Sequence, residues 1–339
     1  MAIILDKQKV VQIADEAVAW GTAGVPTKEL SGITGTTIKK SIVSEIVQAL
    51  RGGIVPGRDQ LVLRHEVDGC SIEGYVIYEQ IPYFLQMLDE ATVAGLGPYT
   101  YTYAGPTTAQ PAPQPQTLVV GQTNMIYGIN GACAKSITFT WNTGEAVKFS
   151  LDLMGHSVTA DTLAALNEVA GTALTYALPS HLTVSVDALS GTMGATDITS
   201  SMSGSITIDL QRKYYRRAGS LYPTGTYDDF WNVTGELVFE NTAATAAFVT
   251  SVVAGATAKQ LQIDFDNGGA TTAQRALLFK IASEVDISSS LVGDDDDGAS
   301  VIKMSFKPIE QGDFTTPAGG DLDGYFGLVS TSSTAVLYA

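Results

Sequence analysis

CSIEGYVIYE, residues 70 to 79, and WNVTGELVFE, residues 231 to 240, follow one plan: an apolar strand interrupted by a glycine and closed by a glutamate. After each, the apolar spacing switches to a helical period. Ile81, Phe84, Leu85 and Leu88 fall on one helix face, and so do Ala244, Ala247, Phe248 and Val252. The next alternating strand begins at Tyr99, 20 residues after Glu79, and at Leu261, 21 residues after Glu240. Upstream, SIVSEIVQALRGGIVPG (41–57) and SITIDLQRKYYRRAGSLYPTG (205–225) are each an apolar strand running into a basic turn with Gly and Pro. The order strand, basic loop, strand, helix, strand, hairpin therefore occurs twice, which predicts a tandem duplication.

Working outward, strict alternation of apolar and polar residues marks strands with one buried face. Ile137, Phe139 and Trp141 alternate with Thr138 and Thr140, and Val147, Phe149, Leu151 and Leu153 alternate with Lys148, Ser150 and Asp152. Asn142-Thr143-Gly144 between them predicts a hairpin. Further sets of period two are Leu182/Val184/Val186, Ile206/Ile208/Leu210, Leu261/Ile263/Phe265 and Ile302/Met304/Phe306. The fold class is thus mainly β, in two similar β domains covering 1–158 and 159–339. A helical connector, ADTLAALNEVAG (160–171), is expected between them, with Pro179 as a stop. The first half alone carries PTTAQPAPQPQT (106–117), whose prolines cannot join a sheet ladder. An extended surface loop is expected there, as a contact arm or as a plain linker.

The chain has 339 residues, 45% of them hydrophobic, enough for two domains of ordinary size. Folded compactly, it would bury roughly three quarters of its extended surface, so neither metal nor disulfide is needed for stability. Cys70 and Cys133 lack CxxC spacing and read as buried free thiols suited to a reducing cytoplasm. The start, MAIILDKQKVVQIADEAVAW, has too short an apolar run and too many early charges for a signal peptide or a membrane span. A net charge of −16 works against general affinity for nucleic acid phosphates. Charged residues are only 16% of the chain, against roughly 25% in an average domain. Much of the surface must therefore be weakly polar, as expected where subunits pack together.

Motifs for chemistry are scarce. There is no P-loop, no GxGxxG after a strand and no HExxH, and His65, His156 and His181 stand apart, so each reads as an ordinary hydrogen-bonded or surface histidine. Asp294-Asp295-Asp296-Asp297-Gly298 invites a calcium reading, but with Gly298 at the sixth position of an EF-hand loop the twelfth would be Met304. A solvated hairpin loop is the better account, and no metal site is assigned. Arg212, Lys213, Tyr214, Tyr215, Arg216 and Arg217 form the one dense basic patch, with the interleaved aromatics of some single-strand binders. A hairpin loop meeting acidic surface on a neighbouring subunit explains it better in so acidic a chain. Asn232-Val233-Thr234 is a formal glycosylation sequon, without meaning in a chain read as cytoplasmic.

These stretches together resemble the tail tube proteins of long-tailed (siphovirus-type) bacteriophages. EAVAWGTAG (16–24) is similar to the start of that family. CSIEGYVIYEQIPYFLQML followed by YTYTYAGP is similar to its glycine-containing strand, helix and aromatic strand, and YPTGTYDDFWNVTGELVFEN (222–241) to the corresponding loop and strand. The resemblance implies a β-sandwich or barrel-like unit of two packed antiparallel sheets with one flanking helix, here duplicated. It further implies a virion protein, assembled in the bacterial host cytoplasm, that stacks in rings into a tube conducting the genome. Relatives with one unit form rings of six, so three chains of this duplicated kind would give a trimeric ring with pseudo-sixfold symmetry. Six chains are the alternative if one half has become an outer decoration. Implied partners are further copies of the chain, the tape measure and other tail proteins, and phage DNA passing without specific binding. No membrane and no cofactor is implied. Candidate contacts between subunits or rings are Arg51, Arg58, Arg212, Tyr214, Tyr215, Arg216, Arg217, Pro111, Pro113 and Pro115.

Three other readings remain at this point. One is another phage assembly protein, such as a terminator, distal tail or decoration protein. A second is a carbohydrate-binding β-sandwich using Tyr99, Tyr101 and Tyr103. The third is a β-rich hydrolase using Asp264, Asp266 and Glu284, although nothing in the sequence pairs them and an enzyme is not expected.

Overall fold

Alternation in the sequence becomes antiparallel ladder in the structure. The computed structural model describes residues 10–16, 20–49, 57–95, 99–104, 113–122, 125–165, 174–189, 191–198, 201–229, 231–255, 257–269, 274–289, 291, 294–296, 299–309 and 326–332. The first half holds β1 (Val10–Asp15), β2 (Lys28–Leu30), β3 (Ile33–Thr37), β4 (Ser41–Ala49), β5 (Gly57–Tyr75), β6 (Thr92–Ala94), β7 (Tyr99–Ala104), β8 (Gln116–Gln122), β9 (Met125–Asn142), β10 (Lys148–Gly155) and β11 (Ser157–Ala160), with helix α1 (Ile81–Gln86). The second holds β12 (Leu182–Ala188), β13 (Ser201–Asp209), β14 (Lys213–Tyr215), β15 (Gly225–Tyr227), β16 (Asn232–Glu240), β17 (Ala258–Asp266), β18 (Ala276–Ile287), β19 (Asp294–Asp296), β20 (Ala299–Pro308) and β21 (Phe326–Ser332), with helix α2 (Ala243–Val253).

The spine of the molecule is the run β3–β5–β10–β9–β13–β16–β20, every pair antiparallel. The hairpin at Asn142-Thr143-Gly144 forms as its sequence requires, pairing Phe139 with Phe149 and Ile137 with Leu151. Gly144 takes φ 88°, a left-handed turn position that costs glycine little. The inward faces are those that alternation marks: Ile137, Phe139, Trp141, Val147, Phe149, Leu151 and Leu153 are all buried.

Two long strands turn the sheet's corners. Tyr127–Asn130 of β9 pair with β11, while from Cys133 onward β9 pairs with β10 and from Ser136 with β13. β18 exchanges partners along one edge, lying between β17 and β21 over Ala276–Ile281 and pairing with β20 over Ser283–Ile287. Strands that change sheets in this way make the edges of a sandwich.

Ladders also cross the midpoint of the chain, because β9 pairs with β13 and β7 with β21. Buried side chains from both halves form one hydrophobic cluster. Polar contacts reinforce it: the Tyr78 hydroxyl donates to the Phe265 carbonyl at 3.1 Å, and Arg275 reaches the buried Glu79 at 2.7 Å.

Several expectations are revised. Helix α1 is enclosed on every side instead of on one face, all six of its residues buried, with Phe84 and Phe149 rings 4.8 Å apart. In α2 the buried residues are Thr245, Val249 and Val252, while Ala244 and Ala247 are exposed. The cap sets that rotation. The Thr242 side chain accepts from the Thr245 N–H at 3.3 Å, and the Thr245 hydroxyl donates to the Glu240 carbonyl at 2.9 Å, so the face at i+4 and i+7 from Thr245 turns inward. The connector is not helical over 161–165, and 166–173 lie outside the described residues. There the buried Gln12 clamps the Ala164 backbone, donating to its carbonyl at 2.7 Å and accepting from its N–H at 3.0 Å. The Pro-rich stretch ends as sheet, because Gln116 and Thr117 open β8, which pairs with both β1 and β9. No proline interrupts the ladder after Pro115, so nothing prevents pairing.

Candidate assembly surfaces

β4 and β5 pair from Ser41↔Glu66 to Ala49↔Gly57, beyond the point where β5 enters the spine at Val67. Among the described residues no other strand pairs with this projecting ribbon, which leaves both its edges open. A two-stranded ribbon is marginally stable alone, so its base needs support. The segment around β14 and β15 provides it. The His65 N–H donates to the Leu221 carbonyl at 2.8 Å, and the Tyr222 ring stacks between His65, 4.9 Å away, and His156, 5.2 Å away. Arg216 meets Glu66 at 3.1 Å, sharing that carboxylate with Arg64 at 2.7 Å. The Tyr214 hydroxyl donates to the carbonyls of Val67 and Gly155. Burial pushes the Tyr214 phenol and the Cys133 thiol well above their ordinary values, the latter to about 11, and pulls the His156 imidazole below its own.

Arg212 departs furthest from what the sequence led one to expect. Its side chain is 0% exposed and forms a two-pronged pair with Asp228, at 2.5 and 2.9 Å. Its remaining N–H groups donate to the carbonyls of Met87, Ala134 and Leu88, each at 2.8 Å. The guanidinium is spent inside the chain, where it binds the second half to the first, and it is not a surface contact. What faces outward from the basic patch is Lys213, Tyr215 and Arg217, Lys213 paired with Asp229 at 2.8 Å and the Arg217 guanidinium 5.7 Å from the Tyr215 ring centroid.

The remaining candidates separate. Pro113 and Pro115 are half-buried and docked, since the Gln114 N–H donates to the Gln86 carbonyl at 3.0 Å and the Glu16 N–H to the Pro115 carbonyl at 3.3 Å. Arg51 and Pro111 lie outside the described residues, as does the side chain of Arg58, whose backbone pairs with Gln48. Sequence reasoning missed Tyr222 and its histidines, which are far apart along the chain.

The segment that begins at Glu16 is an anchor. The Glu16 carboxylate accepts from the N–H groups of Gly131 and Gly21 and from the Thr117 hydroxyl at 2.5, 2.8 and 2.7 Å. Burial nevertheless pushes this carboxyl up from its ordinary value. The Trp20 indole N–H donates to the Gly131 carbonyl at 3.0 Å. A side chain at Gly131 would collide with Trp20 and His156.

Tyr101 and Tyr103 are buried in the core, so the tyrosine stripe presents no sugar platform. Glu284 lies opposite Ala258, and Asp264 opposite Leu278, about 20 Å along the same ladder, and Glu284 pairs with Lys307 at 3.0 Å. Among the described residues no group of His, Cys, Asp or Glu is arranged to hold a metal ion, and no helix is long and apolar enough to cross a membrane. Asp294–Asp296 form an edge strand opposite Val301, Ser300 and Ala299.

Asp264 carries a testable strain. Its Oδ1 is buried without a partner, and burial, with Asp266 adding, pushes its carboxyl up to about 6 against an unfolded value near 4. Between those values the folded chain holds a proton that the unfolded chain has lost, so this group lowers stability as pH rises through that window. Asp264→Asn is expected to gain about 1–2 kcal/mol at pH 7 and almost nothing at pH 4. Urea unfolding of both proteins at the two pH values measures it, and an equal difference at both would refute the assignment.

Among the described residues the body is all-antiparallel, ends in a ribbon that no other strand pairs with, and spends Arg212 and Glu16 on internal anchoring, the frame of a β-sheet subunit. Residues 7–308 match a family model described as phage tail tube protein, and the chain belongs to that family. It is therefore a structural component of the phage tail. No curated protein matches the sequence.

Proposed function

We propose that the protein assembles with copies of itself into stacked rings, forming the tail tube of a siphovirus-type phage through which the genome passes during ejection. The observation that carries this is the β4–β5 ribbon: open edges on a family member of this kind are a template for pairing with a neighbour, and ring closure removes them. The subunit acts mechanically, without catalysis. The tape measure and other tail proteins are its partners, and assembly takes place in the bacterial host cytoplasm. A net charge of −16 favours a wall that repels phosphate, so DNA slides through without specific binding.

A trimeric ring with pseudo-sixfold symmetry follows if the halves, 1–158 and 159–339, are duplicated tube units. Matching details support duplication. Gly74 on β5 lies opposite Phe149 on β10, and Gly235 on β16 lies opposite Phe306 on β20. In each half the glycine makes room for an aromatic ring from a strand later in the chain, β10 directly after β9 and β20 after β18 and the short β19, and a helix follows the glycine strand. Negative-stain microscopy with sedimentation tests the proposal. Rings or tubes, with a trimeric ring mass, are expected; a strictly monomeric protein at all concentrations would reject it, and a hexameric ring would reject only the stoichiometry.

A further inference from the structure

The two halves repeat in ladder register as well as in element order. In the first, Thr36 and Thr37 of β3 pair with Ile72 and Ser71, and beyond them Ser41 pairs with Glu66 and Ile42 with His65. In the second, Ile208 and Asp209 of β13 pair with Val233 and Asn232, and beyond them Lys213 pairs with Tyr227 and Tyr214 with Thr226. One constant shift along each strand carries every one of these pairs onto its counterpart. The far side of the glycine strand agrees, since Lys148↔Tyr75 and Phe149↔Gly74 match Ser305↔Glu236 and Phe306↔Gly235. By this register Lys40 stands in the place of Arg212, and Ile42 in that of Tyr214.

The counterparts differ in what they touch. Arg212 and Tyr214 join the second half to the first, Arg212 through the carbonyls of Met87, Leu88 and Ala134, Tyr214 through those of Val67 and Gly155. Lys40 is exposed with no acidic partner among the described residues, and Ile42 is 53% exposed. A matching difference appears at the helices. Met87 and Leu88 follow α1, whose six residues are all buried; the shift of the glycine strand carries their places to Phe248 and Val249, inside the longer α2. There the helix is bare, with Ala247, Thr250, Val253 and Ala254 exposed and no charged residue along its length. Lys259, whose ammonium donates to the Ser251 hydroxyl at 3.0 Å, is itself buried. The C-terminal turn of a helix attracts a cation, because its peptide dipoles leave partial negative charge there. The first half thus presents a corner without a partner and the second a helix without a cover, and each is the counterpart of one side of a contact made inside the chain.

We propose that the Lys40–Ile42 corner of one copy packs on the C-terminal half of α2 in the neighbouring copy of the ring, as Arg212 packs within the chain on the residues that follow α1. This rests on the tube reading above and deepens it by assigning the faces of neighbouring copies that meet. Because the two surfaces differ, the contact is heterologous, and it joins the first half of one copy to the second half of the next. First and second halves then alternate around the ring, with one junction inside each chain and its counterpart between chains.

Exchange of charge tests the contact. K40E brings an acid to the negative end of α2, and A254K sets a second cation against Lys40. Each alone is expected to lower the assembled fraction in sedimentation by about tenfold while keeping the melting temperature, and I42S should lower it as well. K40E/A254K, in which the charges have changed places, should assemble again. In K40C/A254C a bismaleimide should link separate chains into a closed, ring-sized product, the native Cys70 and Cys133 being buried. Single variants that assemble like the wild type, an exchanged variant that stays dispersed, or crosslinks confined to single chains would overturn the contact and leave the tube reading standing. A wild-type protein that forms neither rings nor tubes removes the tube reading and this contact with it.

Discussion

Replacing Arg212 by Ala is expected to destabilise the subunit by about 3–5 kcal/mol, lowering its thermal midpoint by roughly 10 °C. The guanidinium is fully buried, and its loss takes the ion-pair partner from the buried Asp228 carboxylate and a donor from each of the Met87, Leu88 and Ala134 carbonyls, of which Met87 keeps the Ala134 N–H at 3.1 Å. Removing the cation from a buried ion pair costs more than the pair contributes, so the single substitution is the severe one. Removing both partners, as Arg212→Met with Asp228→Leu, should recover only part of the loss, because the Leu88 and Ala134 carbonyls still lack the donor that Arg212 supplies. The effect should also reach the ribbon, since Arg212 leads directly into the segment that carries Tyr214, Arg216 and Tyr222. Faster amide exchange at the base of β4–β5 in Arg212→Ala is the expected sign. A loss below about 1 kcal/mol would show that the guanidinium is replaceable by water and that the anchor lies elsewhere.

Gly235→Ala is the second large effect. A Cβ at Gly235 would press into the Ser205 carbonyl oxygen and stand 2.5 Å from the Phe306 Cζ. The carbonyl belongs to the β13–β16 ladder and cannot move without breaking pairs, so overpacking of about 2–3 kcal/mol is expected. Gly74→Ala should behave alike but more mildly, because the nearest atom there is the Gly32 carbonyl oxygen at 2.7 Å, with Phe149 at 3.2 Å. Gly225→Ala is the control: its nearest neighbours stand 3.9 Å away, so a change within about 0.5 kcal/mol is expected. Equal midpoints in urea for Gly235→Ala and Gly225→Ala would refute the packing account. This prediction joins sequence to fold, for the two glycines are those at the centre of the repeated stretches.

Much of the architecture was legible because a strand's side chains alternate by two whatever the strand's partner. Phe139, Phe149, Ile206 and Ile263 could be assigned to the interior from spacing alone, and all are buried. Spacing served less well in the helices. In α2 a single side-chain hydrogen bond from Thr245 to Glu240 outweighs the apolar count and turns the alanines outward. In α1 every side of the helix is enclosed, so no face exists for periodicity to report. The basic patch shows the same limit: four cations and two tyrosines stand side by side, yet Arg212 is buried, Tyr214 and Arg216 hold the ribbon base, and Arg217 stands exposed.

The sequence by itself determined the β class, the positions of the strands, the repeated glycine plan and the tail tube family, because all four are carried by local order along the chain. Only the tertiary structure decided which charges are internal, which turns point outward, and that the Pro-rich segment ends in a ladder. Those outcomes depend on residues distant in sequence, such as Arg212 with Leu88 or Tyr222 with His65 and His156, meeting across strands. Period along one strand carries no information about which other strand will lie beside it.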